Sequence, residues 1–285
     1  MNKILVIGIV GESVFMKCDH FHKPGETISV DDIYTEIGGK GFNQAFTIKE
    51  LGGDVKFICA LGNDQIKEKC IEDMKKLEVS FDYFIDQNKN TAYANILTNK
   101  EGDNRVSVYH GASLNLNNLS KIYEEIDNAE YILLQLEIPY EINLNIAKYA
   151  KLKNKLVILN PAPVTEINEL LDYVDIITPN EIEVITLFGT NYQDDLLNKP
   201  FKTIVTRGEK NTILITDTVK EFETEKVIPK DTTGAGDAFN GALVYRLASG
   251  DDIENAIKFA NRVASHTVQY DYVLPGILSL KMIEK

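Results

Sequence analysis

Short, almost uninterrupted apolar runs recur along the chain at 4–10, 56–61, 131–136, 156–159, 175–177, 203–206 and 212–216, and several are separated by stretches of helical spacing. A strand reading Tyr131-Ile-Leu-Leu or Leu156-Val-Ile-Leu has no polar side to show to water, so it must be covered on both faces. Helices lying between such strands predict a three-layer α/β/α sandwich with a mostly parallel central sheet. With 285 residues the chain is long enough to form this as one large domain over 1–285.

Two segments break the alternation. Residues 27–36, and 91–110 with Tyr93-Ala-Asn-Ile-Leu and Arg105-Val-Ser-Val-Tyr around Glu101-Gly-Asp-Asn, read as a small antiparallel β excursion. Its strands are expected within about 9–36 and 91–110. Three uses are open to such a sheet: a lid beside the binding crevice, a pairing surface for a homodimer, or a plain edge extension. No repeat or low-complexity linker marks a second domain.

Thirty basic residues against forty-three acidic ones give a formal charge of -13, which argues against general nucleic-acid or anionic-membrane binding. A phosphate ligand must then be held by local devices such as backbone N–H groups, a helix N-terminus or a metal ion. Cys18, Cys59 and Cys70 lack both close pairing and histidine neighbours at metal-ligand spacing, so a reducing, cytoplasmic setting is expected. The first apolar run is too short for a signal-peptide core, and no later run approaches membrane-spanning length, which predicts a soluble, untargeted protein.

The chemistry is concentrated in Asp231-Thr-Thr-Gly-Ala-Gly-Asp-Ala-Phe-Asn-Gly. Gly234, Ala235 and Gly236 open a helix whose stripe runs through Ala238, Phe239, Ala242, Leu243 and Leu247, so their amides form a candidate anion hole. Asp237 in the first turn would stabilise any helix. Beside a bound triphosphate, however, it would be repelled unless it had a proton to accept, which suits a general base for a hydroxyl. A dinucleotide fingerprint fails because Phe239 stands where a small residue is needed, and no Gly-Lys-Ser/Thr triplet supplies a Walker loop. A second cluster, Ile37-Gly-Gly-Lys-Gly-Phe-Asn-Gln, opens a helix through Phe42, Ala45, Ile48 and Leu51. Lys40 and Asn43 there suit a polyhydroxylated ligand, although a lone lysine is more often a solvated surface charge.

Taken in order, Gly38-Gly-Lys-Gly-Phe-Asn-Gln-Ala, Leu61-Gly-Asn-Asp, Leu136-Glu-Ile-Pro, Asn160-Pro-Ala-Pro, Thr178-Pro-Asn-Glu-Ile-Glu, Thr206-Arg-Gly and the Asp231 motif resemble the ribokinase-like carbohydrate kinases of the PfkB family. The resemblance spans nearly the whole chain and is strongest to the ribokinase branch. It implies transfer of the ATP γ-phosphate to a sugar hydroxymethyl group, with Mg²⁺ and a candidate K⁺ site. On that pattern Asp237 is the base, and the amides of Gly234, Ala235 and Gly236 are the anion hole. Asn180 and Glu183 organise Mg²⁺ and phosphates through water, with helix capping after Pro179 as their other use. Thr206, Gly208 and Asn261 lie on the nucleotide side. Asp231 and Thr233 match a K⁺ site, although the loop expected to complete it reads Asp271-Tyr-Val-Leu-Pro without a glycine.

For the sugar, Gly39, Lys40, Asn43 and Glu137 match contacting positions. Gly11 and Ser13 depart from the pattern, which calls for Asn and Asp. Ser13 lacks the ionised acceptor pair of an aspartate, and Glu12 projects to the opposite side of a strand and does not replace it. Sugar phosphorylation is therefore expected while ribose specificity stays open. A nucleoside kinase is one alternative. A catalytically silent sugar- or nucleotide-binding regulator is another, against which the intact Asp237, Asn180 and Glu183 argue.

Overall fold

The computed structural model describes residues 3–101 and 103–283. Gly102, in the turn expected between two lid strands, and residues 1, 2, 284 and 285 of the expected domain lie outside the described residues.

Strand β1 (Ile4–Ile7) shows how the layers arise, because Ile4 and Val6 enter one apolar cluster while Leu5 and Ile7 enter another. The chain continues through β2 (Gly11–Cys18), β3 (Val30–Gly38), α1 (Lys40–Glu50), β4 (Val55–Leu61), α2 (Gln65–Lys76), β5 (Phe81–Ile85), β6 (Ala92–Thr98) and β7 (Asn104–Tyr109). Next come α3 (Leu119–Asp127), β8 (Tyr131–Gln135), α4 (Tyr140–Leu152), β9 (Leu156–Asn160), β10 (Ile176–Ile177), α5 (Glu181–Phe188) and α6 (Tyr192–Asp195). The last third holds β11 (Lys202–Arg207), β12 (Lys210–Ile215), β13 (Val219–Phe222), α7 (Ala235–Ala248), α8 (Ile253–Thr267) and α9 (Val273–Leu278).

Among the described residues the large sheet has the order β13-β12-β11-β10-β9-β8-β1-β4-β5. It is parallel from β5 to β11, and β12 and β13 close one edge antiparallel. Residues of α1, α2, α7, α8 and α9 join the Ile4 and Val6 cluster, and those of α3 and α4 join the other, giving the expected sandwich. Parallel strands deliver their carboxyl ends to one rim, where ligands of open α/β sheets bind. Gln135 and Asn160 end β8 and β9 on that rim, and Thr178 follows β10. The smaller sheet has the order β3-β2-β6-β7, antiparallel at both outer pairs and parallel between β2 and β6.

The expected first strand at 4–10 is shorter, and a connection takes its place at 8–10. β1 stops at Ile7, and Gly11 and Ser13 sit on β2 of the smaller sheet, not on the end of the first strand. The break falls at Gly8, where a Cβ would lie 2.8 Å from the Gly41 Cα. Ile9 and Val10 remain buried, so the apolar run continues while the backbone changes sheet. Strands β5 and β13 lacked a continuous apolar signal because each is partly exposed on an edge. No described helix is long and apolar enough to cross a membrane.

Candidate active site

Three helix starts carry most of the expected site residues. Gly39, with φ of 110°, precedes α1, and a Cβ there would lie 2.6 Å from the Ile9 carbonyl oxygen, so only glycine fits. The Lys40 N–H donates to Glu137 Oε2 at 2.9 Å, which caps the helix with an acidic side chain from the loop after β8. Before α7, Gly234 adopts a left-handed conformation with φ of 76°, and the methyls of Val273 occupy the space where its Cβ would be, 2.6 Å from Cγ1. Gly236 is different: a Cβ there would meet nothing within 4 Å, so the backbone forms a bare ledge. Of the three expected anion-hole amides, that of Ala235 also reaches the Thr232 carbonyl at 3.3 Å.

Asp237 is 6% exposed. Both of its oxygens accept amide donors from α1, Asn43 Nδ2 at 2.9 Å and Gln44 Nε2 at 3.0 Å. Gln44 is locked in turn, since Gln135 Nε2 donates to its Oε1 at 2.6 Å and its own Nε2 also reaches Asn160 Oδ1 at 3.2 Å. The two helices approach closely because α7 carries Gly241 at the contact, where a Cβ would lie 2.6 Å from the Thr47 Cβ. Asn240 ties the first turn of α7 to the sheet rim: it donates to the Gly236 carbonyl at 2.8 Å and accepts from Thr178 Oγ1 at 2.5 Å.

Lys40 sits in the crevice among three carboxylates. Asp237 above all, then Glu137 and Glu183, raise its pKa against the opposing effect of burial, so it stays charged. Burial pushes the Glu137 carboxyl up to about 7, with Lys40 pulling the other way. Burial also raises Glu183, which again feels Lys40 and Asp237. These mutual effects bring the starts of α1, α5 and α7 into one electrostatic unit.

Asn180 and Glu183 form a reciprocal cap of α5. Asn180 Oδ1 accepts from the Ile182 and Glu183 N–H groups, and Glu183 Oε2 accepts from the Asn180 N–H at 2.8 Å. The capping use is therefore built, and it spends one oxygen of each side chain, while no bond to Asn180 Nδ2 or Glu183 Oε1 is seen among the described residues. Thr206 lies beside this turn, its N–H donating to the Pro179 carbonyl at 3.0 Å, and Gly208 makes the left-handed turn after β11. Asn261 stands apart from the network. Its side chain binds Thr212 Oγ1 at 2.7 Å and the Glu223 carbonyl at 3.1 Å, tying α8 to the sheet edge beside a cavity of about 680 Å³.

Ser13 pairs across the ladder with Glu36 and lies against Gly38 in the smaller sheet. Glu12 points elsewhere and forms an ion pair with Lys69 of α2, as strand alternation predicts. Asp231 accepts the Thr233 N–H at 2.8 Å and the Tyr272 N–H at 3.2 Å, and Thr233 Oγ1 accepts from Asn104 Nδ2 of β7 at 3.2 Å. Sequence reasoning missed Gln44, Gln135, Asn160 and Asn240 as site residues. Gln44 and Asn160 lay inside quoted motifs, but partners 193 and 116 residues apart leave no local signal.

A bare helix start beside a buried, doubly held carboxylate and a charged lysine is equipped to move a phosphoryl group onto a hydroxyl, which defines the class as a phosphotransferase. The sequence matches the pfkB family carbohydrate kinase profile over residues 1–276. It is 35% identical over 285 residues to the ribokinase of Staphylococcus aureus (strain COL), covering 94% of each chain. The crystal structure of ribokinase from Thermotoga maritima superposes with a TM-score of 0.88 at 32% identity, covering 99% of this chain and 98% of that one. Arabidopsis thaliana ribokinase complexed with ribose and ATP superposes with a TM-score of 0.85 at 28% identity, covering 99% of both. The chain belongs to the PfkB family of carbohydrate kinases, and so acts on a sugar hydroxyl.

Proposed function

We propose that residues 1–285 form one kinase domain that transfers the γ-phosphoryl group of ATP to the hydroxymethyl group of a pentose or related sugar. The observation that carries this reading is Asp237: buried, held on both oxygens by amides, and set beside the open backbone of Gly236. Asp237 takes the proton of the sugar hydroxyl as that oxygen attacks in line. The first N–H groups of α7 receive the charge of the transferring phosphoryl group, and Lys40 adds a fixed positive charge beside it. Lys40, Asn43, Glu137 and the backbone of Gly39 orient the sugar, with Gly11 and Ser13 lining its outer side. Thr206, Gly208 and the Asn180 turn serve the nucleotide, and Asn261 supports the adenine side by fixing α8.

Mg²⁺ fits this donor set indirectly. Among the described residues no group of three or more His, Cys, Asp or Glu could hold a metal ion, and Glu183 offers one uncommitted oxygen. Asn180 and Glu183 would hold Mg²⁺ through water, where it neutralises phosphate charge. K⁺ fits less well at Asp231 and Thr233. Each already accepts N–H donors there, so a bare monovalent ion would have to share those oxygens with them.

Homodimerisation through the lid is supported by β7, an edge strand whose Val106, Val108 and Tyr109 are 54%, 47% and 46% exposed. Sedimentation of the full chain tests it, and a monomer across the micromolar range rejects it. A cytoplasmic setting is supported by three free buried cysteines, with the thiol of Cys70 pushed up to about 12 by burial.

Release of ADP from Mg-ATP across pentoses, hexoses and nucleosides tests the function, with Asp237→Asn as the control. The variant should lose roughly 10²–10⁴-fold in turnover while binding ADP as before, since the transition state alone needs the base. Full activity of Asp237→Asn would refute the assignment. A preference for nucleosides would move the substrate class, and tight ligand binding without turnover by the unsubstituted protein would make it a regulator.

A further inference from the structure

Glu36 is a buried carboxylate for which the reading above has no task. It stands on β3, two residues before Gly38, and is 4% exposed. Its two oxygens accept the N–H groups of Val273 and Leu274, each at 3.0 Å, which open α9 237 and 238 residues further along the chain. Burial pushes its pKa up to about 7, with the two amides acting in the opposite direction. A carboxylate kept in such a place at a cost in desolvation is holding something.

What it holds is the strained start of α9. Tyr272 has φ of 65°, in the left-handed region that a residue with a Cβ rarely enters. Its ring stacks on Tyr34 of β3 with centroids 4.0 Å apart and meets Phe15 of β2 edge-on at 5.1 Å. The same segment bears on the loop before α7 from the other direction. The Tyr272 N–H donates to Asp231, and the Val273 side chain fills the space over Gly234. Residues 272–274 therefore touch the smaller sheet on one side and the start of α7 on the other.

We propose that Glu36 is a positioning residue for phosphoryl transfer. By holding residues 272–274 from the smaller sheet, it keeps Val273 against Gly234 and so couples that sheet to the placement of the α7 amides. The proposal rests on the kinase reading of that site.

Two variants of the full chain test it by different routes. Glu36→Gln keeps the size and one acceptor but drops the second, whereas Val273→Ala leaves the cap and empties the space over Gly234. Each is expected to lower kcat roughly 10- to 100-fold, the scale of a small misplacement remote from the chemistry, with the KM values for sugar and ATP changed far less. The double variant should be no slower than the slower single one, because both act through one contact. A purely structural cap would lower the melting temperature and leave kcat of the folded protein intact. That result overturns the proposal, as do losses that multiply in the double variant.

Should Glu36→Gln fail to fold, Val273→Ala alone decides, and an unchanged kcat there rejects the coupling. If the unsubstituted protein phosphorylates no sugar, the kinase reading fails separately. Hydrogen exchange at the amides of Gly234, Ala235 and Gly236 then remains as the readout, where faster exchange in Glu36→Gln supports the coupling and unchanged exchange overturns it.

Discussion

Beneath the crevice, Asp237 is gripped by Asn43 and Gln44, and all three side chains are buried. Above it, the smaller sheet meets the loops before α7 and α9 partly through surface contacts: Asn104 with Thr233, and Lys17 with Asp271 at 3.5 Å, the latter pair 48% and 54% exposed. The difference is one of replaceable partners. Water takes over when an exposed bond opens, so such a contact contributes about 0–1 kcal/mol. A buried donor removed from the floor strands its acceptor, at about 1–3 kcal/mol each. The floor therefore fixes geometry, while the rim of the smaller sheet can be rewritten cheaply.

The strongest challenge to that contrast is Gln44→Leu, which strips a donor from Asp237 and the acceptor from Gln135. Turnover should fall roughly 100-fold through misorientation of the base, and the melting temperature should drop by several degrees. Steady-state kinetics beside a thermal melt checks this, and an active, equally stable Gln44→Leu would show that the network is ornamental.

Glu137 sharpens the comparison by coupling the floor to pH. Its folded pKa, about 7 against an ordinary 4.5, means that kcat/KM should decline up to tenfold per unit as pH falls below 7 and the carboxylate gains a proton. Stability runs the other way. The penalty for the buried charge is absent below pH 4.5, grows from there to 7 and is complete above, on the order of 3 kcal/mol. Glu137→Gln should thus be more stable and less active at pH 8, with a flattened acid limb. A pH-independent difference in melting temperature would contradict this.

Ser13→Asp probes the smaller sheet. An aspartate there restores an ionised acceptor pair and should raise kcat/KM for ribose about tenfold. It also faces Glu36 directly across the ladder, so a like-charge cost of about 0.2–1 kcal/mol should lower the melting temperature. Unchanged ribose kinetics would pass specificity to Gly11 or the other strands of that sheet. The smallest effect belongs to Asn104→Ala: the KM for sugar should shift about twofold and kcat should hold, in keeping with an exposed bond.

Much of this was legible in the chain. Apolar runs such as Leu156-Val-Ile-Leu announced β9, and the Asp231 motif announced the start of α7, because burial on both faces and helix-opening glycines are local properties. The first strand misled because Gly8 turns the backbone between sheets while Ile9 and Val10 stay buried, so hydropathy carries no mark of the bend. The antiparallel placement of β12 was also hidden, since a hairpin strand at the edge has the same apolar content as a crossover strand. Asn180 and Glu183 were singled out by motif, and the reciprocal cap they form is the helix-capping use that the sequence also offered. Glu36 and Gln44 gave no signal, because their meaning lies in partners about two hundred residues away.

The missing side chain at Gly241 has a consequence for how such a protein can diverge. A single methyl there would collide with Thr47 and the Gln44 carbonyl, wedging α1 from α7 and loosening the grip on Asp237. The separation of those two helix axes is thus a gauge that no later change elsewhere can reset. The spacing between the Asp237 carboxylate and the side-chain amides of Asn43 and Gln44 is set by that one contact.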